Sequence, residues 1–190
     1  LTNNTKRKEA NSANPRINNK FGHVIRWDEG KTADAFQWDI FVFGSPAVSD
    51  PKINRSGLND INQFASPDGL AFDGRGILWI QTDNGADEVT QYTNDQMLAV
   101  VPSQLTDDNG DPAVINAENQ NQLKRFFVGP NGCEVTGFTI SPDYKSLFVN
   151  IQHPANWPMS DDATAETKGK VRPRAATVVI RREDGGEIAV

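Results

Sequence analysis

Cysteine and histidine are almost absent from this chain. Its 190 residues include one cysteine, Cys133, and two histidines, His23 and His153. A single cysteine excludes an internal disulfide framework. The two histidines lie far apart in the sequence, without the spacing that is typical of a zinc site. We therefore expect neither a disulfide-stabilised scaffold nor a zinc site in this chain.

The chain also lacks a basic excess and a long apolar run. Its 25 acidic and 19 basic side chains give a net charge of −6, which repels polyanions, so we do not expect a nucleic-acid partner. No run reaches the roughly 18 apolar residues that a membrane-spanning helix needs, so we expect no membrane insertion. A hydrophobic content of 37% suffices for a modest core, which predicts a globular protein.

Short stretches of alternating apolar and polar residues predict β-hairpins along most of the chain. Residues 1–20 show no such alternation and are predicted to be a loop or extension, followed by one domain over 21–190. No stretch has the pattern of a long amphipathic helix. The predicted strands cover residues 22–28, 35–43, 70–73, 77–83, 96–101, 122–128, 137–151 (as a hairpin) and 175–182.

A weak internal repeat links two of these hairpins. The sequence GLAFD at 69–73 returns as GFTIS at 137–141, and each copy is followed by a second apolar strand. Recurrence after about four strands is typical of stacked four-stranded blades. We therefore predict an all-β fold, a partial β-propeller with about two four-stranded blades of a larger ring. A β-sandwich built from the same strands is the alternative.

Carboxylates stand at the two equivalent strand starts of the repeat. Asp68 precedes Gly69, and Glu134 precedes Gly137. Strand starts of neighbouring blades converge on a propeller axis, where oxygen donors from separate blades can surround a hard cation. A turn explains Asp68 in Ser-Pro-Asp-Gly equally well. Glu134 lies among apolar residues, where a carboxylate needs a cation or hydrogen-bond donors, so it is the stronger candidate ligand.

Four further side chains are candidates for a site. Asp83 ends the second hairpin, where a turn is the alternative explanation. Cys133 offers a soft ligand for iron, although a lone cysteine among apolar residues also suits a core position. Arg172 and Arg174, on either side of Pro173, could hold a phosphate by forked hydrogen bonds, or could simply be solvated.

Taken together and in order, several segments of the chain resemble the PhoX-type alkaline phosphatases. The resemblance leaves 44–64, 101–122 and 157–169 as variable loops. The segments that carry it are LTNN (1–4), ANPR (13–16), GHVIRW (22–27), SPDG (66–69), LWIQTD (78–83), GP (129–130), GCEVTG (132–137), VNIQHP (149–154) and RPRAATVVI (172–180).

This resemblance implies a secreted or periplasmic bacterial propeller that hydrolyses phosphate monoesters with bound calcium and iron. It implies metal-ligand roles for Asp68, Asp83, Cys133 and Glu134, without dividing them between the two metals. About two blades fit in 190 residues, whereas a closed ring needs at least four. We therefore expect a C-terminal part of such an enzyme, inactive by itself, that joins the remaining blades or forms an edge-strand dimer.

Two other functions are compatible with the same sequence. A non-catalytic propeller module for protein interaction would also have turn-rich, acidic loops. A calcium-dependent lactonase-like propeller shares the pattern PDGLAFD at 67–73, but it fits the segments 132–137 and 172–180 less well. The metal-dependent phosphatase is the function that the sequence favours.

Overall fold

The chain forms three antiparallel sheets in a computed structural model, which describes residues 1, 3–32, 34–84, 87–154 and 175–189. The first sheet pairs β1 with β2, the middle sheet has the order β3-β4-β5-β6, and the third has the order β7-β8-β9. The strands are β1 (His23–Glu29), β2 (Phe36–Phe43), β3 (Pro67–Phe72), β4 (Leu78–Thr82), β5 (Gln96–Val100), β6 (Lys124–Val128), β7 (Glu134–Ile140), β8 (Leu147–Gln152) and β9 (Ala176–Ile180).

Helices are short in the described part of the chain. One α-helix, α1, covers Asp87–Thr90, and two 3-10 turns cover Pro102–Gln104 and Gln120–Gln122. The prediction of an all-β chain is therefore confirmed. The middle sheet has the predicted four strands, whereas the first and third sheets have two and three strands in the described residues. No closed ring is formed by these sheets.

The predicted hairpins are present, and their pairing follows the alternation in the sequence. β1 and β2 pair from His23↔Phe43 to Glu29↔Phe36, with a bulge after Val24. The segments predicted at 96–101 and 122–128 pair directly as β5 and β6. The two copies of the repeat form the hairpins β3-β4 and β7-β8.

The two central strands of the middle sheet are buried on both faces, and this burial determines where the other two sheets lie. Every residue of β4 and β5 is buried. Leu78 and Ile80 face one apolar cluster, while Trp79 faces another. The first cluster includes Val24, Phe41 and Val42 of the first sheet, and the second includes Val135, Leu147, Val149 and Ile151 of the third. The three sheets are therefore stacked face to face.

The repeat glycines are required by close packing against the next strand. A Cβ at Gly69 would lie 2.6 Å from Oε1 of Gln81, and a Cβ at Gly137 would lie 2.5 Å from Nδ2 of Asn150. Gly137 also has a φ of +63°, which favours glycine. Each glycine lies within a bulge of its hairpin. The repeat thus reflects one packing arrangement used twice.

The loops between strands contribute to the core more than their polar composition suggests. Leu58 and Phe64 of the insertion 44–64 are buried in the first cluster. In the loop between β5 and β6, Ile115 is buried, and its backbone N–H donates to the Phe41 carbonyl at 2.8 Å. Both loops therefore form part of the packed domain.

The N-terminal segment is attached to the first sheet by one buried arginine. Arg16 donates from Nη1 to the carbonyls of Gly44 (2.8 Å) and Ile53 (2.9 Å), and from Nη2 to the carbonyl of Gly22 (2.5 Å). Its guanidinium lies 5.0 Å from the Phe43 ring centroid. Segment 1–20 thus has no strand of its own but has a fixed place in the described structure.

At the opposite end of the chain, an arginine links the middle sheet to the last residues. Arg75 donates from Nη1 to the Ile188 carbonyl at 2.7 Å and from Nη2 to the Asp73 carboxylate at 2.8 Å. Its guanidinium stacks 4.4 Å from the Tyr144 ring centroid, in the turn between β7 and β8. We call this the Arg75 clasp; it joins the middle and third sheets at the end where β3 meets β4.

No helix in the described residues has both the length and the apolar character that crossing a bilayer requires.

Replacing Arg16 with methionine should lower the free energy of unfolding by about 3 kcal/mol, because it removes a buried guanidinium that donates to the carbonyls of Gly22, Gly44 and Ile53. Chemical denaturation would measure this loss. The matched control is Arg182→Met, since Arg182 is exposed and pairs locally with Asp184; it should leave stability nearly unchanged. Equal stability of both variants would contradict the structural role of Arg16.

Candidate metal centre

In each of the two repeat hairpins, the start of the first strand lies beside the end of the second, and the two hairpins belong to neighbouring sheets. Pro67 at the start of β3 pairs with Thr82 at the end of β4, and Glu134 at the start of β7 pairs with Gln152 at the end of β8. Asp68 and Asp83 lie at these strand ends in the middle sheet, and Glu134 and His153 lie at those of the third sheet. A hydrogen bond from Nε2 of Gln81 to the Gly137 carbonyl, at 2.7 Å, connects the two hairpins.

Three of these side chains converge on one point. Asp83, Glu134 and His153 each offer one ligand atom, and these atoms all lie within 4.8 Å of one another. Asp83 is exposed and the His153 side chain is 58% exposed, whereas the Glu134 side chain is only 12% exposed. The group therefore has one buried carboxylate and two partners that solvent can reach, an arrangement open to an incoming ion.

The partners of Glu134 and His153 fix the direction in which each presents its ligand atom. Glu134 Oε2 accepts a hydrogen bond from Nε2 of Gln152 at 2.6 Å. His153 Nδ1 lies 3.1 Å from the Gly132 carbonyl, which can only accept, so Nδ1 carries a proton. Nε2 lies 3.5 Å from Glu134 Oε2, and in the neutral form of the ring it carries the lone pair that a metal can accept. An imidazole held in this way is prepared for metal binding.

Negative charge is concentrated around Glu134. Burial raises the pKa of Glu134, and the nearby Asp83 and Asp68 raise it further. Asp68 is exposed at the start of β3, so the structure places it near enough to add charge, without including it in the group of three. A cation would relieve this repulsion, as happens where carboxylates from several strands share one ion.

A buried carboxylate that the sequence analysis missed lies beside the group. Asp95 immediately precedes β5, and its Oδ1 accepts from Thr82 Oγ1 and from the Asn84 backbone N–H, both at 2.6 Å. Burial raises the pKa of Asp95 to about 7, with Asp83 and Glu134 contributing in the same direction. The signal was available, because Asp95 also stands at a strand start, but its strand lies outside the repeat.

Cys133 lies in the core, apart from the group of three. It is buried in the cluster that contains Val135 and Ile151. Its Sγ packs against Gly129, where a Cβ would lie only 2.4 Å away. Burial, and to a smaller extent the charge of Asp95, raises the pKa of its thiol to about 12. A thiol in this state is a poor metal ligand, because the thiolate is the form that binds.

Arg172 and Arg174 fall outside the described residues, so their predicted phosphate-binding role stays a prediction. His23 is fully buried, next to Asn19, with Nδ1 3.2 Å from that amide. Burial lowers its pKa to about 4. His153, which the absence of zinc spacing had led us to set aside, is the histidine that the structure brings to the carboxylates.

The donor set is suited to hard or intermediate cations. Carboxylate oxygens are preferred by calcium, and a mixture of carboxylate and imidazole suits iron. The three candidate ligands come from two sheets: Asp83 follows a strand of the middle sheet, and Glu134 and His153 belong to the β7-β8 hairpin of the third. Such a site can hold an ion between two sheets and leave part of its surface open to a further ligand.

Comparison with known proteins gives two consistent findings. The sequence profile of a family described as "Alkaline phosphatase PhoX" matches residues 1–155. The chain is also similar to a solved structure from Pseudomonas fluorescens, PhoX in complex with vanadate, a transition state analogue, at 40% identity and a TM-score of 0.74. That match covers 98% of this chain and 31% of the solved chain. A search of curated proteins gave no significant match.

The raised pKa of Asp95 predicts how the stability of the metal-free chain depends on pH. With a pKa of about 7 in the folded chain, against an ordinary value of 3.8, the folded state binds more protons than the unfolded state between these two pH values. The free energy of unfolding should therefore fall as pH rises through this window and then level off. Urea denaturation at about pH 5 and about pH 8, with a chelator present, would measure the fall.

Asp95→Asn is the matched variant, because its amide cannot ionise. The free energy of unfolding of this variant should fall less over the same pH window. The fall that remains comes from Glu134, whose pKa is also raised. Parallel pH profiles for the wild type and Asp95→Asn would contradict the raised pKa of Asp95.

Proposed function

The chain belongs to the PhoX family of alkaline phosphatases, and from this we propose that it supplies part of a metal centre that hydrolyses phosphate monoesters. The observation that carries the proposal is the convergence of Asp83, Glu134 and His153 on one point between two sheets. The chain spans 31% of the solved PhoX chain, so the activity belongs to the longer protein, and this part by itself is inactive.

We assign Asp83, Glu134 and His153 as ligands, with Asp68 adding negative charge at the rim. The family resemblance supplies the identities of the metals, calcium and iron, and the carboxylate and imidazole donors suit both. Cys133 was a candidate ligand on sequence grounds. We leave it out of the proposed set, because its thiol packs in the core and its pKa is raised to about 12.

The chemistry of this centre follows from charge. Bound cations of this kind neutralise phosphoryl oxygens and orient an attacking oxygen in line with the leaving group. The chain's own residues hold the ligand atoms: Gln152 orients Glu134, and the Gly132 carbonyl orients His153. The solved relative was captured with vanadate, a transition state analogue, which supports a phosphoryl-transfer centre in the family. Arg172 and Arg174 are our proposed contacts for the phosphate.

Two observations favour this function over the alternatives. A non-catalytic interaction module would not need two carboxylates and an imidazole brought together from separate sheets. The family match runs through the segment 132–137, which a lactonase-like propeller fits less well. From the family resemblance we also propose a periplasmic or secreted location, which fractionation of cells producing the full-length protein would test.

We further propose that the three stacked sheets are part of a β-propeller. The middle sheet is then a complete blade, and the β1-β2 pair is the outer half of the preceding blade. An apolar cleft of about 340 Å³ lies beside β1 and β3. Leu70 and Phe72 of β3, which are 52% and 64% exposed, line it. Two inner strands supplied by the rest of the longer polypeptide would pair with β1 and cover these side chains.

If β1 has a free edge in this chain, copies of the chain should associate through it. Sedimentation velocity over a range of concentrations should show a dimer that increases with concentration. Ile25→Lys places a charge on the apolar lining of the cleft and should shift the equilibrium towards monomer. A strict monomer at the highest concentration would count against edge pairing between copies.

Removing the charge of the buried carboxylate of the group should weaken cation binding. Glu134→Gln keeps the size of the side chain but loses the negative charge, so calcium affinity should fall by at least about tenfold. Calorimetric titration of the chain with calcium would measure this loss. Glu118→Gln, at an exposed position that is not part of the group, is the matched control and should bind calcium like the wild type.

The same substitution tests the enzymatic proposal in the full-length protein. Hydrolysis of a chromogenic phosphate monoester should require calcium and iron, stop on chelation, and be lost in Glu134→Gln but not in Glu118→Gln. A metal-free and inactive full-length protein would overturn the phosphatase proposal and leave the interaction module as the better explanation.

A further inference from the structure

Asp95 lies between the two loops that carry the proposed ligands, and its contacts reach both. It is 7% exposed, in contrast to the exposed Asp68 and Asp83. It stands at the start of β5, between β4, which leads to Asp83, and β6, which leads towards Glu134. No assignment made so far gives this carboxylate a role.

On one side, Asp95 fixes the backbone around Asp83. Its Oδ1 accepts from the Thr82 hydroxyl and from the Asn84 backbone N–H, the two residues that flank Asp83. The Thr82 hydroxyl in turn accepts from the Gln96 backbone N–H at 2.9 Å. The residues on both sides of Asp83 are thereby tied to β5, which fixes the backbone from which the Asp83 side chain projects.

On the other side, the backbone of the same residue fixes the loop before Glu134. The Asp95 carbonyl accepts from the Gly129 N–H at 2.8 Å, and Nδ2 of Asn94 donates to the Gly129 carbonyl at 2.9 Å. Gly129 packs against Cys133 Sγ with no room for a Cβ. The position of Gly129 therefore determines where Cys133, and with it the start of β7 at Glu134, can lie.

We propose that Asp95 is a positioning residue, which holds the Asp83 loop and the Glu134 loop at the separation that a shared cation requires. This inference rests on the proposed function, since it assumes that Asp83 and Glu134 bind one ion. Asp95 acts through the acceptor oxygen that it offers to Thr82 and Asn84. Its negative charge is not needed for this role, and neither is direct contact with the cation.

Three variants separate this role from the others that Asp95 could have. Asp95→Asn keeps an acceptor oxygen at Oδ1 and loses the charge. Asp95→Ala removes the acceptor. Thr82→Val leaves Asp95 in place and removes one of its two donors, so it tests the same contact if Asp95→Ala does not fold. Glu134→Gln marks the cation site itself.

The measurement is calorimetric titration of the chain with calcium, with thermal unfolding in the presence of a chelator recorded for each variant. Calcium affinity should fall by about tenfold or more in Asp95→Ala and by about threefold to tenfold in Thr82→Val, because residues that orient metal ligands typically contribute this much. Asp95→Asn should stay within about threefold of the wild type. Hydrogen exchange of the Asn84 amide should accelerate in Asp95→Ala and remain slow in Asp95→Asn.

Each other outcome has a distinct meaning. Wild-type affinity in folded Asp95→Ala, or in Thr82→Val if Asp95→Ala does not fold, would overturn the positioning role and leave the metal centre intact. Equal loss in Asp95→Asn and Asp95→Ala would also overturn it, because charge or direct ligation would then be responsible. If Glu134→Gln binds calcium as tightly as the wild-type chain, the proposed metal centre is overturned, and this inference with it.

Discussion

Burial of β4 and β5 on both faces is the constraint on which the rest of this structure depends. Alternate side chains of one strand enter different apolar clusters, so a neighbouring sheet must cover each face. Trp79 occupies the face towards the third sheet, where it packs edge-on against Phe126 at 4.9 Å and donates to the buried Asp73 carboxylate at 3.3 Å. Once both neighbours are in place, the strand ends of adjacent hairpins necessarily meet along one edge.

That edge gives a site without a contiguous motif. Asp83 and His153 each follow the second strand of a repeat hairpin, and Asp68 and Glu134 lie at the start of the first. Gly69 and Gly137 allow the two hairpins to pack in the same way against Gln81 and Asn150. The repeated packing therefore creates two similar sets of strand ends, and stacking brings Asp83 of one set close to Glu134 and His153 of the other.

Local pattern predicted the strands and part of the site, because both depend on residues that are close in sequence. The alternation at 22–28 and 35–43 was sufficient for the first hairpin, and the strand-start rule was sufficient to select Glu134 as a candidate. His153 and Asp95 required information of another kind. His153 reaches Glu134 through the β7-β8 register, and Asp95 reaches Thr82 and Asn84 through the pairing of β4 with β5. The ordered place of segment 1–20 depends on hydrogen bonds from Arg16 to the carbonyls of Gly22, Gly44 and Ile53, which no periodicity reveals.

The Arg75 clasp and the proposed metal centre lie at opposite ends of the same pair of sheets. At one end, the protein itself supplies a permanent cation, the guanidinium of Arg75, which ties the turn at Asp73 to Tyr144 and Ile188. At the other end, Asp83 beside the middle sheet and Glu134 of the third sheet have carboxylate oxygens within 4.8 Å of each other. A bound metal ion would therefore act there as a removable crosslink, so that occupancy of the centre and cohesion of the two sheets become one equilibrium.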